Sequence, residues 1–204
     1  MRINNKAHWE KVYSLNSDQD VGWYQEKPGT SLNLILRYSE IDSAIIDIGA
    51  GNANLANELL KAGYADLTVI DISSHAIERS KSKITSGIEK INFLETSVLE
   101  LKPEKEFEIW HDRAVFHFLW DENEISMYVR NAVSHIASGG YLIIGAFSDK
   151  GPEKCSGLAV NLQTAESIRN TFVHSFCFCE SPTEDHMTPM FISQLCMCFF
   201  LRKI

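Results

Sequence analysis

Residues 45–54 read Ile-Ile-Asp-Ile-Gly-Ala-Gly-Asn-Ala-Asn, and this stretch decides the fold. An apolar, β-rich run from Ala44 to Ile48 ends at two glycines, and a helical stripe that stops at Gly63 follows it. Glycine lets the backbone bend tightly and approach a ligand closely. The stretch therefore predicts a buried strand, a ligand-binding turn and a helix.

The same alternation of strand and helix continues along the chain. Further strands are predicted at 67–70, 91–94, 107–110 and 141–147, with helices starting near Ser31 and Ser74 and covering 122–136 and 164–172. Strict alternation implies a parallel sheet that is covered on both faces, so we expect an α/β fold. A strand pair at 175–179 and 195–201 closes the chain and adds an antiparallel member.

Composition limits the possible partners. The 204 residues suit one domain covering 1–204, and the net charge of −8 leaves no basic face for gripping nucleic acid. The N-terminus lacks the apolar region of a signal peptide, and no apolar run reaches the length of a membrane span. We expect a cytoplasmic protein with neither a nucleic-acid nor a membrane partner.

Two carboxylates specify the ligand. Asp71 ends the second strand, 20 residues after Gly51, where an acid accepts hydrogen bonds from ribose hydroxyls. A dinucleotide turn needs a third glycine, and Asn54 occupies that position. Asp47, two residues before Gly49, would repel a pyrophosphate but attract an ammonium group. S-adenosylmethionine (SAM) carries an ammonium and a sulfonium and no phosphate. The alternative is that both acids only cap local backbone N–H groups.

Four segments resemble the motifs of class I SAM-dependent methyltransferases; they are 47–51, 69–73, 107–113 and 138–142. The resemblance implies a Rossmann-like three-layer sandwich, whose mostly parallel seven-stranded sheet has an antiparallel last strand. Trp9, Tyr13 and residues 23–25 resemble the start of methyltransferase-like proteins that include protein-lysine methyltransferases. The implied role of residues 1–40 is a helical cap over the cofactor.

The resemblance also assigns the cofactor contacts, namely Trp23, Asp47, Gly49, Ala50, Gly51, Asp71, Ile72, Ser97 and Val98. Two positions depart from the family pattern. Ala53 replaces a motif glycine, and Ser97 replaces the acid that accepts a hydrogen bond from the adenine amino group. The fourth-strand sequence is neither the Asn/Asp-Pro-Pro-Tyr/Phe motif of amide-nitrogen methyltransferases nor close to that of the lysine enzymes.

The catalytic candidates follow the fourth strand, because ligands bind beyond the carboxyl ends of parallel strands. Asp112 is the first choice as base or substrate anchor, and His111 and His117 are the other titratable groups there. The alternative for Asp112 is a salt bridge with Arg113. We also expect the polar segment 148–157 to line the substrate entrance, with Cys155 as a candidate reactive thiol and His186 a further candidate for the pocket.

The remaining cysteines form two Cys-x-Cys pairs, Cys177/Cys179 and Cys196/Cys198. Structural zinc sites usually separate their ligands by two or more residues. We therefore expect each pair on a buried strand face and no bound metal, with a metal or redox site as the alternative.

The expected function is SAM-dependent methyl transfer to a small molecule or a protein side chain. Two other functions stay open at this point: a catalytically silent SAM-binding or interaction domain, and an NAD-type oxidoreductase.

Overall fold

The computed structural model describes residues 6–52, 54–102 and 104–204, so the predicted departure at Ala53 lies outside the described residues.

At the centre of the protein, five parallel strands form one side of a sheet. They are β1 (Ile45–Ile48), β2 (Leu67–Asp71), β3 (Ile91–Glu95), β4 (Phe107–Arg113) and β5 (Ile136–Phe147).

The last strands complete this sheet. They are β8 (Phe176–Glu180), β9 (Thr183–Met187) and β10 (Ser193–Lys203), while β6 (Lys154–Cys155) and β7 (Leu158–Ala159) form a separate small hairpin. The order is β3-β2-β1-β4-β5-β10-β8, with β10 antiparallel to β5 and to β8. The mostly parallel sheet is confirmed, but β9 also pairs with β10, which makes eight strands instead of the expected seven.

Helices pack on both faces of the sheet. They are α1 (Lys6–Leu15), α2 (Gly29–Tyr38), α3 (Asn54–Ala62), α4 (Ser74–Lys83), α5 (Glu122–His135) and α6 (Ala165–Phe172). The cap of α4 is Ser73, whose hydroxyl accepts from the Ala76 N–H, one residue before the expected cap.

The core consists of two apolar clusters, one on each side of the sheet. One contains Trp110, Tyr128 and Phe172, and the other contains Ile35 and Leu59. Every residue of β1 and β2 is buried, as expected of central parallel strands. Both faces of the sheet are therefore covered, and ligands can approach only its edges.

Two strands are longer than expected. β4 continues through Arg113 instead of ending at Trp110, so His111 and Asp112 lie within the sheet, opposite Asp47 and Ile48 of β1. β5 starts at Ile136 and includes the glycines that suggested a turn. Polar residues can continue a strand when its neighbours offer backbone partners on both sides, and the local pattern does not show those partners.

The expected burial of both cysteine pairs is wrong for the first pair. Cys177 and Cys179 are exposed on β8, whereas Cys198 is buried and Cys196 is half-buried on β10. Cys177 lies opposite Arg202, and Cys196 lies opposite Phe147, so the two pairs do not face each other.

Candidate active site

Three adjoining cavities lie at the carboxyl ends of β1, β2, β4 and β5. We call them the Asp71 cavity, the Asp47 cavity and the His117 cavity, after a residue that lines each one. Their empty volumes are about 680, 510 and 450 Å³, which include the solvent at their mouths. Trp23 and Arg113 line all three cavities and so form their common boundary.

Asp71 is held by the glycine turn and by the start of α4. Its Oδ2 accepts from the Gly51 N–H at 3.1 Å, and its Oδ1 accepts from the Ser73 N–H at 2.9 Å. Burial raises the pKa of Asp71 to about 6, although these two N–H groups oppose the rise. Each carboxylate oxygen can accept a further hydrogen bond, which suits a pair of ribose hydroxyls.

The far wall of the Asp71 cavity is formed by the segment that comes after β3 in the sequence. Thr96, Ser97 and Val98 line it together with Ile72. The Ser97 hydroxyl accepts from the Leu99 N–H at 3.2 Å, and Ser97 is almost fully buried. A hydroxyl oxygen in this position retains a lone pair for an amino group.

The Asp47 cavity contains a line of three buried polar side chains. A hydrogen bond of 2.7 Å joins Asp47 Oδ1 to His111 Nδ1, and another of 2.8 Å joins His111 Nε2 to the Ser31 hydroxyl. Asn52 lines the same cavity, and its buried Oδ1 has no hydrogen-bond partner among the described residues. Asp47 Oδ2 and Asn52 Oδ1 are thus both available to a hydrogen-bond donor.

Both glycines of the turn have positive φ angles, +61° at Gly49 and +57° at Gly51. A Cβ on Gly49 would lie 2.2 Å from Val115 Cγ2, and one on Gly51 would lie 2.7 Å from the Tyr13 hydroxyl. Conformation and space therefore both require glycine here, as the sequence predicted.

Aromatic residues of the N-terminal segment line the Asp71 cavity. Trp9 contacts the edge of Trp23 at 6.1 Å and of Phe118 at 5.2 Å, and Tyr13 contacts Trp23 at 6.1 Å. Glu10 fastens α1 to the N-terminus of α4, accepting from the Ser74 N–H at 2.8 Å and from the Ser73 hydroxyl at 2.9 Å.

Arg113 was not predicted as a site residue. It is half-buried, its Nη1 donates to the Trp23 carbonyl at 2.8 Å, and it forms no salt bridge with Asp112 or with any other described carboxylate. Ala114, which follows it, has a φ of +72°, an uncommon conformation for a residue with a Cβ. The sequence feature that could have identified Arg113 as a site residue is its positive charge at the end of the fourth strand.

His117 and Cys155 line the His117 cavity together with His186. Burial lowers the pKa of His117 to about 3 and raises that of Cys155 to about 11. His186 Nε2 is hydrogen-bonded to the Gly22 carbonyl at 2.7 Å. Cys155 thus reaches the pocket, but its thiol is protonated at neutral pH, which argues against the expected reactivity.

Asp112 does not reach any of the three cavities, so the prediction that it is the catalytic base does not fit the structure. Its side chain is completely buried, and it accepts from the Val115 N–H at 2.9 Å, the Phe116 N–H at 3.1 Å and the Tyr128 hydroxyl at 2.8 Å. These bonds hold the turn after β4 against α5. The other predicted residues all line the cavities, including His111 and His117.

Part of the chain is similar to known methyltransferases. Residues 45–140 match the family model of a methyltransferase domain. The chain is 29% identical over 125 residues to the mouse eEF1A lysine and N-terminal methyltransferase, and 32% identical over 103 residues to mouse EEF1A lysine methyltransferase 2. These matches cover 59% and 44% of the chain but only 17% and 41% of the relatives.

The fold agrees with this match. The N-methyltransferase NodS from Bradyrhizobium japonicum WM9, solved in complex with S-adenosylhomocysteine (SAH), superposes with a TM-score of 0.70. The two chains are 20% identical, and the alignment covers 98% of each. The chain thus matches a methyltransferase domain over residues 45–140 and has the Rossmann-like fold of SAM-dependent methyltransferases.

The cavities fit SAM. SAM offers two ribose hydroxyls, for which Asp71 has free lone pairs, and an ammonium group, for which Asp47 Oδ2 and the unpartnered Asn52 Oδ1 are available.

No group of three or more His, Cys, Asp or Glu side chains among the described residues is arranged to hold a metal ion. None of the helices in the described ranges is long and apolar enough to cross a membrane.

Proposed function

We propose that this protein transfers the methyl group of SAM to a nucleophilic atom of a small molecule or a protein side chain. The observation that carries the proposal is the pair of buried acids, Asp71 and Asp47. They lie on either side of a turn in which two positions require glycine. One acid suits ribose hydroxyls and the other suits an ammonium group, which is the combination that SAM presents.

The bound cofactor would supply a methyl group on a positively charged sulfur, which is intrinsically reactive. The work left to the protein is to orient the reactants, which contributes up to about 7–11 kcal/mol in favourable cases. Asp71 would accept from the ribose, and Asp47 and Asn52 would accept from the ammonium. Ser97 accepts from the adenine amino group, and the cap residues Trp9 and Tyr13 exclude water.

His111 does not act on the acceptor in this proposal. Its two ring nitrogens are already hydrogen-bonded to Asp47 and Ser31, so it orients Asp47. His117, which has no such bonds, is the remaining predicted residue that an acceptor can meet.

The wider setting is part of the same proposal. We infer a single domain of residues 1–204, whose first 40 residues cap the cofactor, in the cytoplasm and without a nucleic-acid or membrane partner. The acidic balance of −8 supports this, because phosphate backbones and anionic lipid surfaces attract basic proteins. The names of the relatives support a protein acceptor, whereas that of NodS supports a nitrogen acceptor, so together they favour no single acceptor class.

Titration calorimetry tests the cofactor assignment. We expect SAM and SAH to bind, and NAD to bind much more weakly. Asp71→Ala should weaken SAM binding by about 1.5–3 kcal/mol, the usual loss of hydrogen bonds to a charged acceptor. The exposed Asp42→Ala is the matched control and should bind SAM like the unmodified protein. Tighter binding of NAD than of SAM would refute the assignment.

A turnover assay distinguishes an enzyme from a silent binding domain. Radiolabel from SAM is followed into the small-molecule and protein fractions of a lysate. SAM binding without transfer to either fraction would favour the silent domain.

A further inference from the structure

His117 is a buried polar group that has no hydrogen-bond partner. Its side chain is fully buried, and neither Nδ1 nor Nε2 has a partner among the described residues. Its ring contacts Phe118 at 4.5 Å and Phe147 at 5.1 Å between centroids, so aromatic rings take up its sides. A buried polar group left unpaired costs about 1–3 kcal/mol. Because the imidazole lines the His117 cavity, a ligand there would supply the missing partner.

The charge beside this imidazole favours an anion. Arg113 lines the cavity, and its one described hydrogen bond goes to the neutral Trp23 carbonyl. Glu184 also lines the cavity, where its Oε1 accepts from Gln25 Nε2 at 2.5 Å, but the charge that acts on the His117 imidazole is that of Arg113, which helps to lower the pKa of His117. An ammonium group such as that of lysine would therefore meet an unneutralised guanidinium, whereas an anion would be stabilised.

The rest of the wall is rich in sulfur. Cys155, Cys196, Met197 and Cys198 line the cavity, beside the aromatic rings of Phe147 and Trp23. Burial raises the pKa of the three thiols, to about 11, 11 and 12 in chain order. They therefore stay protonated at neutral pH and form a polarisable, uncharged surface that does not compete for the methyl group.

We propose that the His117 cavity is the acceptor site and binds a small thiol, which reacts as its thiolate held by the Arg113 guanidinium and a ring N–H of His117. This rests on the proposed SAM-dependent methyl transfer and specifies its substrate class. A thiol has an ordinary pKa of about 8.5, close enough to neutrality for one guanidinium to favour ionisation. Aliphatic alcohols ionise far less readily.

The step balances without a further reactant. The thiol first loses its proton to solvent, and a lone pair of the thiolate then forms the new sulfur–carbon bond. The bond between the methyl group and the cofactor sulfur breaks, and its electron pair stays on that sulfur, which leaves a methyl thioether and SAH. Because the pKa of His117 is about 3, its imidazole remains neutral throughout and donates one N–H to the anion.

The test compares acceptors that share a carbon skeleton. Benzyl mercaptan is paired with benzylamine, and 2-mercaptoethanol with ethanolamine, at saturating radiolabelled SAM. We expect enzyme-dependent methylation of the thiols at least 100-fold faster than of the amines. The pH profile of kcat/KM for the thiols should rise to a plateau with an apparent pKa below that of the free thiol.

Two variants locate the reaction in this cavity. His117→Gln should raise KM for the thiols at least tenfold and leave the dissociation constant of SAM unchanged. His174→Gln is the matched control, because His174 is exposed, and it should alter neither value. Arg113→Met, assayed at saturating SAM, should shift the pH profile back toward the pKa of the free thiol. Arg130→Met, on an exposed arginine, should not shift it.

The outcomes separate the two proposals. If SAM binds but neither thiol is methylated, or the amines react faster, the thiol assignment is wrong while the cofactor assignment stands. If His117→Gln folds and has an unchanged KM, the cavity is not the acceptor site. If SAM does not bind at all, the proposed function itself fails.

Discussion

Asp71 combines a buried carboxylate with a role as hydrogen-bond acceptor, so its protonation should control SAM affinity. Its pKa of about 6 means that the carboxylate is ionised above pH 6 and loses charge and acceptor capacity below it. We expect the dissociation constant of SAM to be constant from about pH 7 to 8 and to rise toward tenfold per unit below pH 6. Calorimetry across this range measures it.

The control for this prediction is Asp71→Asn, whose SAM affinity should be weaker but much less sensitive to pH. A wild-type affinity that is flat down to pH 5 would contradict the assignment of Asp71.

The effect of Asp71 on folding stability has the opposite dependence on pH. Because the pKa of Asp71 in the folded protein lies above its ordinary value of 3.8, ionised Asp71 destabilises the fold, and its contribution to stability improves as pH falls from about 6 to 3.8.

Asp112 should affect stability and leave cofactor binding alone. Asp112→Asn replaces one acceptor oxygen by an NH₂ group that faces the donors of Val115, Phe116 and Tyr128. We expect the free energy of unfolding to fall by about 2–3 kcal/mol at pH 7.5, with SAM affinity within twofold. Urea denaturation alongside calorimetry measures both.

Tyr128→Phe provides a graded comparison, because it removes one donor to Asp112 and leaves the backbone bonds. It should cost about 1 kcal/mol. A stable Asp112→Asn variant with greatly reduced turnover would restore the catalytic role that the sequence suggested.

Glu10 attaches α1 to the N-terminus of α4, and Arg79 of α4 adds a second attachment by donating to the Tyr13 carbonyl at 2.5 Å. Burial alone would raise the pKa of Glu10, but hydrogen bonds from His75, the Ser74 N–H and the two serine hydroxyls lower it to about 2. The position at the N-terminus of α4 also favours a negative charge. We expect Glu10→Gln to loosen α1 and to weaken SAM binding about three- to tenfold, since Trp9 and Tyr13 of α1 line the Asp71 cavity.

Hydrogen exchange of the α1 amides checks the cause, because it should accelerate in Glu10→Gln while the amides of β1 and β2 remain protected. In the unmodified protein the same loosening should occur in acid. The lowered pKa means that the contribution of Glu10 is complete above about pH 4.5 and is lost as pH falls toward 2. Glu78→Gln, on the exposed side of α4, serves as the control.

The elements differ in how well the sequence predicts them. The central strands and α3 are predictable because the apolar residues in their own sequences indicate which positions are buried. β9 is not, since Thr-Glu-Asp-His-Met has one buried residue, His186, and is a strand only because β10 lies beside it. The end of β4 fails for the same reason, as His111 and Asp112 continue the strand through pairing with β1.

The five thiols should divide into two classes across the whole molecule. Cys177 and Cys179 are exposed, whereas Cys155, Cys196 and Cys198 are shielded and their pKa values are raised to about 11–12. We expect two equivalents to react rapidly with a disulfide reagent in the folded protein, and five in denaturant. Cys177→Ser should reduce the rapid class to one, and a third rapid thiol would show that the His117 cavity is open to solvent.

The candidate site was predictable on its cofactor side and less so on its acceptor side. Asp47, the glycines and Asp71 stand at fixed spacings within one strand–turn–helix–strand unit, so local sequence is enough to place them. The His117 cavity joins residues from β4, β5, β6 and β10, and Arg113 is important there because no described carboxylate pairs with it. Whether a carboxylate pairs with Arg113 depends on the folded structure, so the local sequence could not predict it.

The line from Ser31 through His111 to Asp47 has a direction. A neutral imidazole carries one N–H, and Asp47 can only accept, so the proton belongs on Nδ1 and the Ser31 hydroxyl donates to Nε2. The dipoles of the Ser31 hydroxyl and of the His111 N–H group then both point from α2 toward β1. A cation that settles against Asp47 Oδ2 leaves Oδ1 as the acceptor for the Nδ1–H group, so an occupied site should hold His111 in a single tautomer. The nitrogen chemical shifts of that one ring would then report cofactor occupancy.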